Sequence, residues 1–407
     1  KCVEAIPHVR DEIVDRLKRA AEVSGSDVSV VEIGGTIGDF QNALFIDAAR
    51  VMHLFNPGDV LFVMVSYLPV PGTIGEMKTK PTQNAVRELN SYGVQPDIII
   101  ARSTHTLDQK RKEKLSISCN VLPEHIISAP DVGSIYDVPL NFERDKLSDT
   151  LMELLEKEPK KTPDFSEWKA FAEHAHNGNG VVKIGIVGKY FDTGNFVLSD
   201  AYLSVIEAIK FSAYAHGVKP EIAWLNAKDY EKGPDQVSEL KEYDGIIVPG
   251  GFGETGIEGK INAIRFAREN KIPYFGLCYG MQLMTIEYAR NVAGLAKAHT
   301  TEIDPDTPHP VIAILPAQVE KLAKKNYGGT MRLGAYPCEL TKGTIAAESY
   351  GGASISERHR HRFEVNPKYI EQLEKAGLIF SGKSPDGRLM EIAELPKKFV
   401  LSPTISM

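Results

Sequence analysis

The chain has few cysteines and no long apolar run. Its 407 residues include four cysteines, Cys2, Cys119, Cys278 and Cys338, which lie far apart and form no CxxC pair. This spacing argues against a disulfide framework and a zinc site, and it favours a reducing cytoplasm. No apolar run approaches the roughly 18 residues of a membrane span, and no signal-peptide pattern is present, so we expect no membrane partner.

Neither positive nor negative charge is in large excess. The net charge is −7, which argues against general nucleic-acid affinity but leaves room for a local basic phosphate site. The proportions of hydrophobic (43%) and charged (25%) residues are typical of a soluble globular protein. Because the chain begins at Lys1 on a segment resembling the middle of a domain, we expect it to be a trimmed piece.

Strand-like and helix-like segments alternate along both halves of the chain. The first half predicts a helix over 9–23, a buried strand over 27–35, a strand over 59–69, a helix over 81–93 and a strand over 96–103. The second half predicts strands over 181–190, 221–226, 243–250 and 272–277, with helices over 200–217 and 261–270. This order predicts an α/β fold in which mostly parallel sheets are covered by helices.

A charged, proline-bearing stretch separates the two halves. Residues 156–169 read "EKEPKKTPDFSEWK" and are poor in aliphatic residues. We therefore predict two domains, 1–157 and 181–407, joined by a linker over 158–180.

Cys278 lies in the sequence Gly276-Leu-Cys278-Tyr-Gly280, between a predicted strand and a predicted helix. Small residues on either side permit a sharp turn, and the helix N-terminus would favour a thiolate, as in a nucleophile elbow. A buried structural cysteine is the usual alternative for a lone Cys. The turn "PGGFG", 249–253, follows an earlier strand and could provide oxyanion-binding amides.

Motifs in both halves resemble the CTP synthase family. The sequences "VEIGGTIGDF", "GEMKTKPTQNAVREL" and "DVGSIYDVP" resemble its amidoligase domain, and "VPGGFG", "GLCYGMQ", "TTEI", "GGTMRLG" and "ERHRHRFEVNP" resemble its glutaminase domain. The elbow alone would fit any class I glutamine amidotransferase, whereas "KTKPTQ" and "RHRHR" are specific to the family. The resemblance implies a P-loop-like amidoligase domain, of which 1–157 is the C-terminal part, and a flavodoxin-like glutaminase domain.

The resemblance implies roles for residues of the glutaminase domain. Cys278 would attack the side-chain amide of glutamine and form a thioester, and Gly251 would contribute to the oxyanion site. Further implied glutamine-binding residues are Tyr279, Gly280, Met281, Gln282, Glu302 and Arg362. A carboxylate for the ammonium of an amino acid and a guanidinium for its carboxylate suit this chemistry. Outside the resemblance, surface charge would be the simpler interpretation of Glu302 and Arg362.

The resemblance also implies nucleotide sites in the amidoligase domain. The implied UTP- and CTP-binding residues are Asp39, Phe40, Gln41, Lys78, Thr79, Lys80, Pro81, Thr82, Gln83 and Lys114. The implied ATP-binding residues are Arg102, Pro130, Asp131 and Val132. Glu32, predicted at the end of a strand, would be a Mg²⁺ ligand, although a capping or ion-paired acid is the alternative.

The implied reaction is ATP-dependent amination of UTP with ammonia released from glutamine at Cys278. The implied protein is a cytoplasmic homotetramer with nucleotide sites at subunit interfaces, needing Mg²⁺ and activated by GTP.

The chain departs from the family in four places. The sequence has no His after His361, so the His-Pro-Glu segment that supplies the catalytic base is absent, and the amidoligase half, residues 1–157, has no GxxxxGK[ST] phosphate loop. The lid segment 315–329 is short, and Gln41 stands where the family usually has Glu. These departures leave two alternatives open, a glutamine hydrolase of another pathway and a degenerate, non-catalytic homologue.

Overall fold

The protein is described here from a computed structural model, covering residues 3–72, 75–189, 202–251, 253–314, 331–396 and the strand 404–405. The chain divides into two compact units, residues 1–176 (unit 1) and 177–407 (unit 2). Cys2, the lid segment 315–329 and most of the C-terminal segment, 397–403 and 406–407, lie outside the described residues.

Unit 1 contains a parallel sheet of three strands in the order β1–β2–β3. The strands are β1 Val63–Tyr67, β2 Ile98–Ser103 and β3 Ile126–Pro130. The helices are α1 Arg10–Ser24, α2 Ala43–Phe55, α3 Lys80–Ser91, α4 Gln109–Cys119, α5 Val138–Arg144, α6 Leu147–Leu154 and α7 Ser166–Asn177. The predicted helices over 9–23 and 81–93 and strands over 59–69 and 96–103 are confirmed as α1, α3, β1 and β2.

The predicted buried strand over 27–35 is wrong. The structure has no strand there, and the side chains of Val28, Val30 and Val31 are 59%, 95% and 53% exposed. A strand needs a neighbour to pair its backbone groups. The sheet ends at β1, and within the described ranges no strand pairs with this segment. The apolar pattern is that of a strand, but the segment pairs with no strand of the described residues.

Part of the predicted linker over 158–180 is a packed helix. Helix α7 buries Ala172, and the Trp168 indole Nε1–H donates to the Tyr136 carbonyl at 2.8 Å. The Phe171 ring lies edge-on to the Tyr136 ring, with centroids 4.9 Å apart. This hydrogen bond and the ring contact attach α7, which covers most of the second half of the predicted linker, to the rest of unit 1.

Unit 2 contains a parallel sheet in the order β5–β4–β6–β7. Its strands are β4 Val181–Gly188, β5 Lys219–Asn226, β6 Gly245–Val248 and β7 Tyr274–Gly276. The helices are α8 Leu203–Ala215, α9 Pro234–Val237, α10 Ile257–Asn270, α11 Tyr279–Asn291, α12 Ile345–Tyr350 and α13 Pro367–Lys375. The register pairs Val248 with Gly276, so the turns that follow β6 and β7 meet at the carboxyl edge of the sheet.

Two further sheets in unit 2 were not predicted. One has the order β11–β10–β13–β14–β15 and is antiparallel, and the other has the order β12–β9–β8. Their strands are β8 His299–Thr300, β9 Pro310–Ala313, β10 Arg332–Leu340, β11 Ser354–His361, β12 Glu364–Val365, β13 Ile379–Lys383, β14 Met390–Glu394 and β15 Thr404–Ile405. The α/β class with parallel sheets is confirmed, and the antiparallel sheet adds to it.

Among the described helices, none combines the length and the hydropathy that spanning a bilayer would require.

Candidate active site

Cys278 lies in a strained turn between β7 and α11. Its backbone has φ 52° and ψ −99°, a left-handed conformation that a residue with a Cβ adopts only where the surroundings enforce it. The enforcing contacts are close. A Cβ on Gly276 would lie 2.6 Å from the Gly280 carbonyl carbon, and one on Gly280 would lie 2.1 Å from the Val248 carbonyl oxygen. The predicted turn between strand and helix is therefore present, and the glycines permit it.

Hydrogen bonds fix this turn against the neighbouring strand. The Leu277 N–H donates to the Val248 carbonyl at 2.9 Å, and the buried Tyr274 hydroxyl donates to the Gly280 carbonyl at 2.9 Å. The turn thus belongs to the rigid sheet edge, which suits a group that must be held in one orientation.

The Cys278 thiol is buried, and its acidity differs from the expectation. Burial raises its pKa to about 12, and the charges of Glu364 and Glu302 act in the same direction. A hydrogen bond from the Tyr279 N–H lowers the pKa, as the position before a helix predicts, but burial outweighs it. The resting group is therefore a thiol, and its use as a nucleophile requires that its proton be removed.

A cavity of about 330 Å³ opens beside Cys278. Six residues predicted for the glutamine site line it, namely Gly251, Cys278, Tyr279, Gln282, Glu302 and Arg362. Gly280 and Met281 do not line the cavity, since Gly280 lies against Val248 and Met281 is buried in the core. The remaining lining residues are Met331, Arg360, His361 and Phe363, which sequence reasoning missed. Three of these four lie in "RHRHRF", so the motif itself was the available signal.

The cavity carries opposite charges. Burial raises the pKa of Glu302, while the charges of Lys189 and Arg362 lower it, so Arg362 lies within electrostatic reach of the carboxylate. The Gly253 N–H lies 3.5 Å from Glu302 Oε1. The Gln282 amide Nε2–H donates to the Phe363 carbonyl at 3.0 Å, which ties α11 to the segment that follows β11. A carboxylate and a guanidinium in one cavity match the two charged groups of a free amino acid.

A buried ion-pair network lies next to the cavity. Arg332 donates to Glu391 (Nη2 to Oε1, 2.8 Å) and to Glu364 (Nη1 to Oε1, 3.2 Å). His359 Nε2 lies 2.9 Å from Glu391 Oε2. Burial and the charge of Arg332 lower the pKa of His361 to about 4, so this imidazole is neutral at pH 7.

The same cluster contains a possible set of metal ligands. Donor atoms of His359, His361 and Glu391 lie within 4.8 Å of one another. Arg332 and His359 already use the Glu391 carboxylate, and the guanidinium would repel a cation. We therefore interpret the cluster as a structural network.

The region expected to supply the base gives no imidazole. Thr404 and Ile405 form β15, which pairs with Ala393 and Ile392 of β14. Of residues 397–407, the structure describes these two. The sequence given has no His after His361.

In unit 1, residues predicted to bind UTP or CTP cluster at the start of α3. Thr79 and Thr82 are buried, and the Ser66 hydroxyl on β1 donates to the Thr82 hydroxyl at 2.8 Å. Gln83 is buried and donates to the Thr79 hydroxyl at 3.2 Å, whereas Lys80 and Pro81 are exposed. The Lys78 ammonium pairs with Glu76 at 2.6 Å, and the charges of Arg111 and Lys114 also lower the pKa of Glu76. Lys78 and Lys114 therefore contribute positive charge to the same place.

Residues predicted to bind ATP lie at the carboxyl ends of β2 and β3. The Arg102 guanidinium pairs with Asp131 at 3.1 Å, and both side chains are exposed. Pro130 ends β3, and Val132 follows Asp131. The two strand ends thus bring these four residues together.

The remaining predicted residues of unit 1 lie in an exposed segment. Asp39, Phe40 and Gln41 are exposed, and Asp39 Oδ2 accepts a hydrogen bond from the Thr36 N–H at 2.8 Å. Glu32 is exposed and does not end a strand, because residues 27–35 form none.

Two family models match the chain. The model described as CTP synthase N-terminus matches residues 1–157, and the model described as glutamine amidotransferase class-I matches residues 197–402.

Similar proteins named CTP synthase match nearly the whole chain. A CTP synthase from Caldanaerobacter subterraneus subsp. tengcongensis is 48% identical over 395 residues, with 97% of this chain and 72% of that protein covered. One from Methanocaldococcus jannaschii is 47% identical over 403 residues, covering 98% and 73%. Among solved structures, the glutaminase domain of Trypanosoma brucei CTPS with bound acivicin has a TM-score of 0.50 and 35% identity, covering 56% of this chain and 85% of that one. The chain therefore belongs to the CTP synthase family.

Proposed function

We propose that the protein to which this chain belongs converts UTP to CTP, using ATP and the ammonia of glutamine. The observation that carries the proposal is the strained turn at Cys278, which lines one cavity together with Glu302 and Arg362. The relatives named CTP synthase, matched over nearly the whole chain, support it. The two alternatives, another glutamine hydrolase and a degenerate homologue, are not favoured by these matches.

In the proposed glutaminase half-reaction, the residues that line the cavity have different roles. Glu302 binds the substrate ammonium, and Arg362 binds its carboxylate, so the side-chain amide points toward Cys278. Cys278 Sγ attacks the amide carbon, and the Gly251 N–H stabilises the oxygen that becomes negative. Collapse of this intermediate releases ammonia and leaves a thioester, which water hydrolyses. Tyr279 and Gln282 complete the wall, and we keep Gly280 and Met281 as residues that shape the turn behind it.

In the 407-residue chain, the reaction requires removal of the proton from the Cys278 thiol. A thiol with a pKa of about 12 is ionised in only about one molecule in 10⁵ at pH 7. A positioned base contributes typically ~10²–10⁴-fold. We therefore expect glutamine turnover by this chain to be very slow.

In the proposed synthetase half-reaction, ATP phosphorylates the uracil 4-oxygen and ammonia displaces the phosphate. We assign the triphosphate of UTP or CTP to Lys78–Gln83 with Lys114, and the adenine side of ATP to Arg102 and 130–132. Asp39, Phe40 and Gln41 form the proposed CTP feedback segment. The ammonia would reach this site through an internal channel.

Mg²⁺, when bound, would neutralise phosphate charge, and Glu32 is the residue we assign to it. An exposed carboxylate is compatible with Mg²⁺, because this ion keeps several waters and takes its other ligands from substrate phosphates. Homotetramer formation, activation by GTP and a cytoplasmic location remain parts of the proposal that rest on the family resemblance.

The proposal is tested on the full-length protein. With UTP, ATP and Mg²⁺ we expect CTP formation from glutamine and from ammonia. Cys278→Ser should abolish the glutamine-dependent reaction and preserve the ammonia-dependent one, whereas the control Cys338→Ser should preserve both. Loss of both reactions in a folded Cys278→Ser protein, or no CTP from any nitrogen source, would contradict the proposal.

A further inference from the structure

Lys260 is a fully buried lysine in the first turn of α10. Its relative exposure is 0%, and its ammonium has no hydrogen-bond partner within the described part of the chain. Burying an unpaired ammonium costs free energy, and an unsatisfied buried donor calls for a physical explanation. A methionine or leucine would fill such a site at lower cost, so the charge itself needs a reason.

The location of the Lys260 ammonium gives a reason for its charge. Lys260 Nζ lies 5.7 Å from the centre of the Tyr279 ring, and 3.8 Å from the position that a Cβ on Gly251 would occupy. Gly251 and Tyr279 both line the cavity beside Cys278. The ammonium therefore lies directly behind the wall that these two residues form. The π face of Tyr279 replaces part of the hydration that the ammonium has lost.

We propose that Lys260 is a positioning residue of the nucleophile site, whose positive charge stabilises the oxyanion that forms when Cys278 Sγ adds to a carbonyl. The inference deepens the proposed glutaminase function and rests on Cys278 as nucleophile. Lys260 does not touch the substrate. It acts through the wall at Gly251, where the negative oxygen would lie, and charge at that range is effective because Lys260 is buried and little screened by solvent.

The charge state of Lys260 makes the role dependent on pH. Burial lowers the pKa of Lys260 to about 8, and the like charge of Lys189, which follows β4, adds to this effect. From α11, Tyr279 presents its ring to the ammonium. On α10 itself, Glu258 pairs with Arg290. Glu231, in the turn that precedes α9, lies next to Gly259 and is exposed. The ammonium is thus charged at pH 7 and loses its charge as the pH rises through about 8.

Two reagents separate oxyanion stabilisation from thiol ionisation. With p-nitrophenyl acetate, Sγ bonds to the carbonyl carbon, the carbonyl electron pair moves onto oxygen, and collapse expels p-nitrophenolate and leaves acetyl-Cys278. With iodoacetamide, Sγ displaces iodide, and no oxyanion forms. Both rates depend on the thiolate fraction, so their ratio cancels it. Peptide mapping of the 407-residue chain measures both modifications at Cys278.

We expect Lys260→Met to lower the ratio of acylation to alkylation about tenfold, and Lys260→Arg to restore at least part of it. The matched control is Lys241→Met, because Lys241 also lies over a ring, that of Phe266 at 5.8 Å, but is exposed. It should leave the ratio unchanged. A merely structural lysine would not change this ratio. Removal of the buried charge should also raise the urea midpoint of unfolding.

The unmodified chain provides a second measurement, which does not depend on any variant folding. Its ratio should fall as the pH rises through about 8, and that fall should be absent in Lys260→Met. A ratio equal in parent and Lys260→Met, together with a flat pH profile, would overturn the inference and leave the nucleophile assignment intact. Failure of Cys278 to be acylated in the parent would instead overturn both.

Discussion

Arg332 donates to two buried carboxylates, and its bond to Glu391, Nη2 to Oε1, is 2.8 Å long. The second carboxylate is Glu364, at 3.2 Å. Burial raises the pKa of Glu364 to about 8, whereas the pKa of Glu391, despite its burial, is lowered by hydrogen bonds from His359 and Arg332. Removing the guanidinium would leave the Glu391 charge buried without Arg332, and Glu364 without its donor. We therefore expect Arg332→Met to lower the free energy of unfolding by about 3–5 kcal/mol, measured by urea unfolding.

The control for this prediction is an exposed ion pair in the same unit. Arg388 pairs with Asp386 at 2.6 Å, and both side chains are solvent-exposed. Arg388→Met should change the free energy of unfolding by less than about 1 kcal/mol. Similar effects of the two substitutions would show that the buried network contributes no more than a surface pair.

Gly280 cannot accept a side chain without movement of the backbone. Its Cβ would lie 2.1 Å from the Val248 carbonyl oxygen, which already accepts from the Leu277 N–H. We expect Gly280→Ala to cost about 1–3 kcal/mol of unfolding free energy and to slow labelling of Cys278, because the turn must shift. Gly352→Ala is the control, since the nearest atom to its Cβ would be 3.8 Å away. An unchanged free energy of unfolding in Gly280→Ala would mean that the backbone of the turn can move to accommodate a Cβ without cost.

Cys278 should react with a glutamine-analogue diazo-ketone before the other described cysteines do. All three have a pKa raised by burial, to about 12 for Cys278 and for Cys338. Selectivity therefore depends on access, and among these three Cys278 lines the cavity, whereas Cys119 and Cys338 lie in the core.

The same labelling has a definite pH dependence. The thiolate fraction rises with pH up to the pKa, so the rate should continue to increase above pH 9 and not level off near pH 8. Peptide mapping over a pH series measures it. A plateau at neutral pH would reveal an ionised thiol and a base near it, with His359 and His361 the first residues to test.

Lys80 should contribute to UTP binding in the full-length protein. It begins α3, next to the buried Thr79, and its side chain is exposed and available to a phosphate. A charge-assisted hydrogen bond is worth roughly 1.5–3 kcal/mol, so Lys80→Ala should weaken binding by about tenfold or more. Lys161→Ala, an exposed lysine of the same unit, should leave the dissociation constant unchanged. Equal affinities in a folded, correctly assembled Lys80→Ala protein would remove this residue from the site.

The 407-residue chain alone should not convert UTP, ATP and ammonia to CTP. Residues 1–157 contain no GxxxxGK[ST] loop, and the glycine-rich "GGTIGDF" has no lysine to replace it. The one match in the sequence, at residues 377–384, runs through strand β13, which pairs antiparallel with β14, so it lacks the strand–loop–helix context of a phosphate loop. An assay of CTP formation, with the full-length protein as positive control, measures this. Any CTP made by the chain alone would show that another segment binds the phosphates of ATP.

Features determined by neighbouring residues were predictable from the sequence. The spacing of Gly276 and Gly280 around Cys278 indicates the elbow, and Gly276 is required by a contact with Gly280 itself. Gly280 is required by Val248 of β6, a contact that the sequence does not show. Alternating strands and helices likewise predicted the parallel sheets. Residues 27–35 have the pattern of a strand. Whether a strand forms there depends on a neighbouring strand to pair with, and the local sequence does not show whether one is present.

Features that depend on distant parts of the chain were not predictable. The pKa of Cys278 is raised mainly by its burial, which outweighs the hydrogen bond from the Tyr279 N–H at the helix N-terminus. Arg360 and Phe363 line the cavity because β11 ends there, and the antiparallel pairing of β10 with β11 was not predicted. Lys260 has an ordinary helical sequence context, and only the structure places it behind Gly251.

The packing of α7 on unit 1 has a practical consequence for spectroscopy. The sequence has two tryptophans; Trp168 lies on α7 and Trp224 on β5 of unit 2. Each compact unit therefore carries one tryptophan, which can be excited selectively at wavelengths where tyrosine does not absorb. In Trp168→Phe the emission reports on unit 2, and in Trp224→Phe it reports on unit 1. The two signals reveal whether the units unfold together or in separate steps, without any external dye.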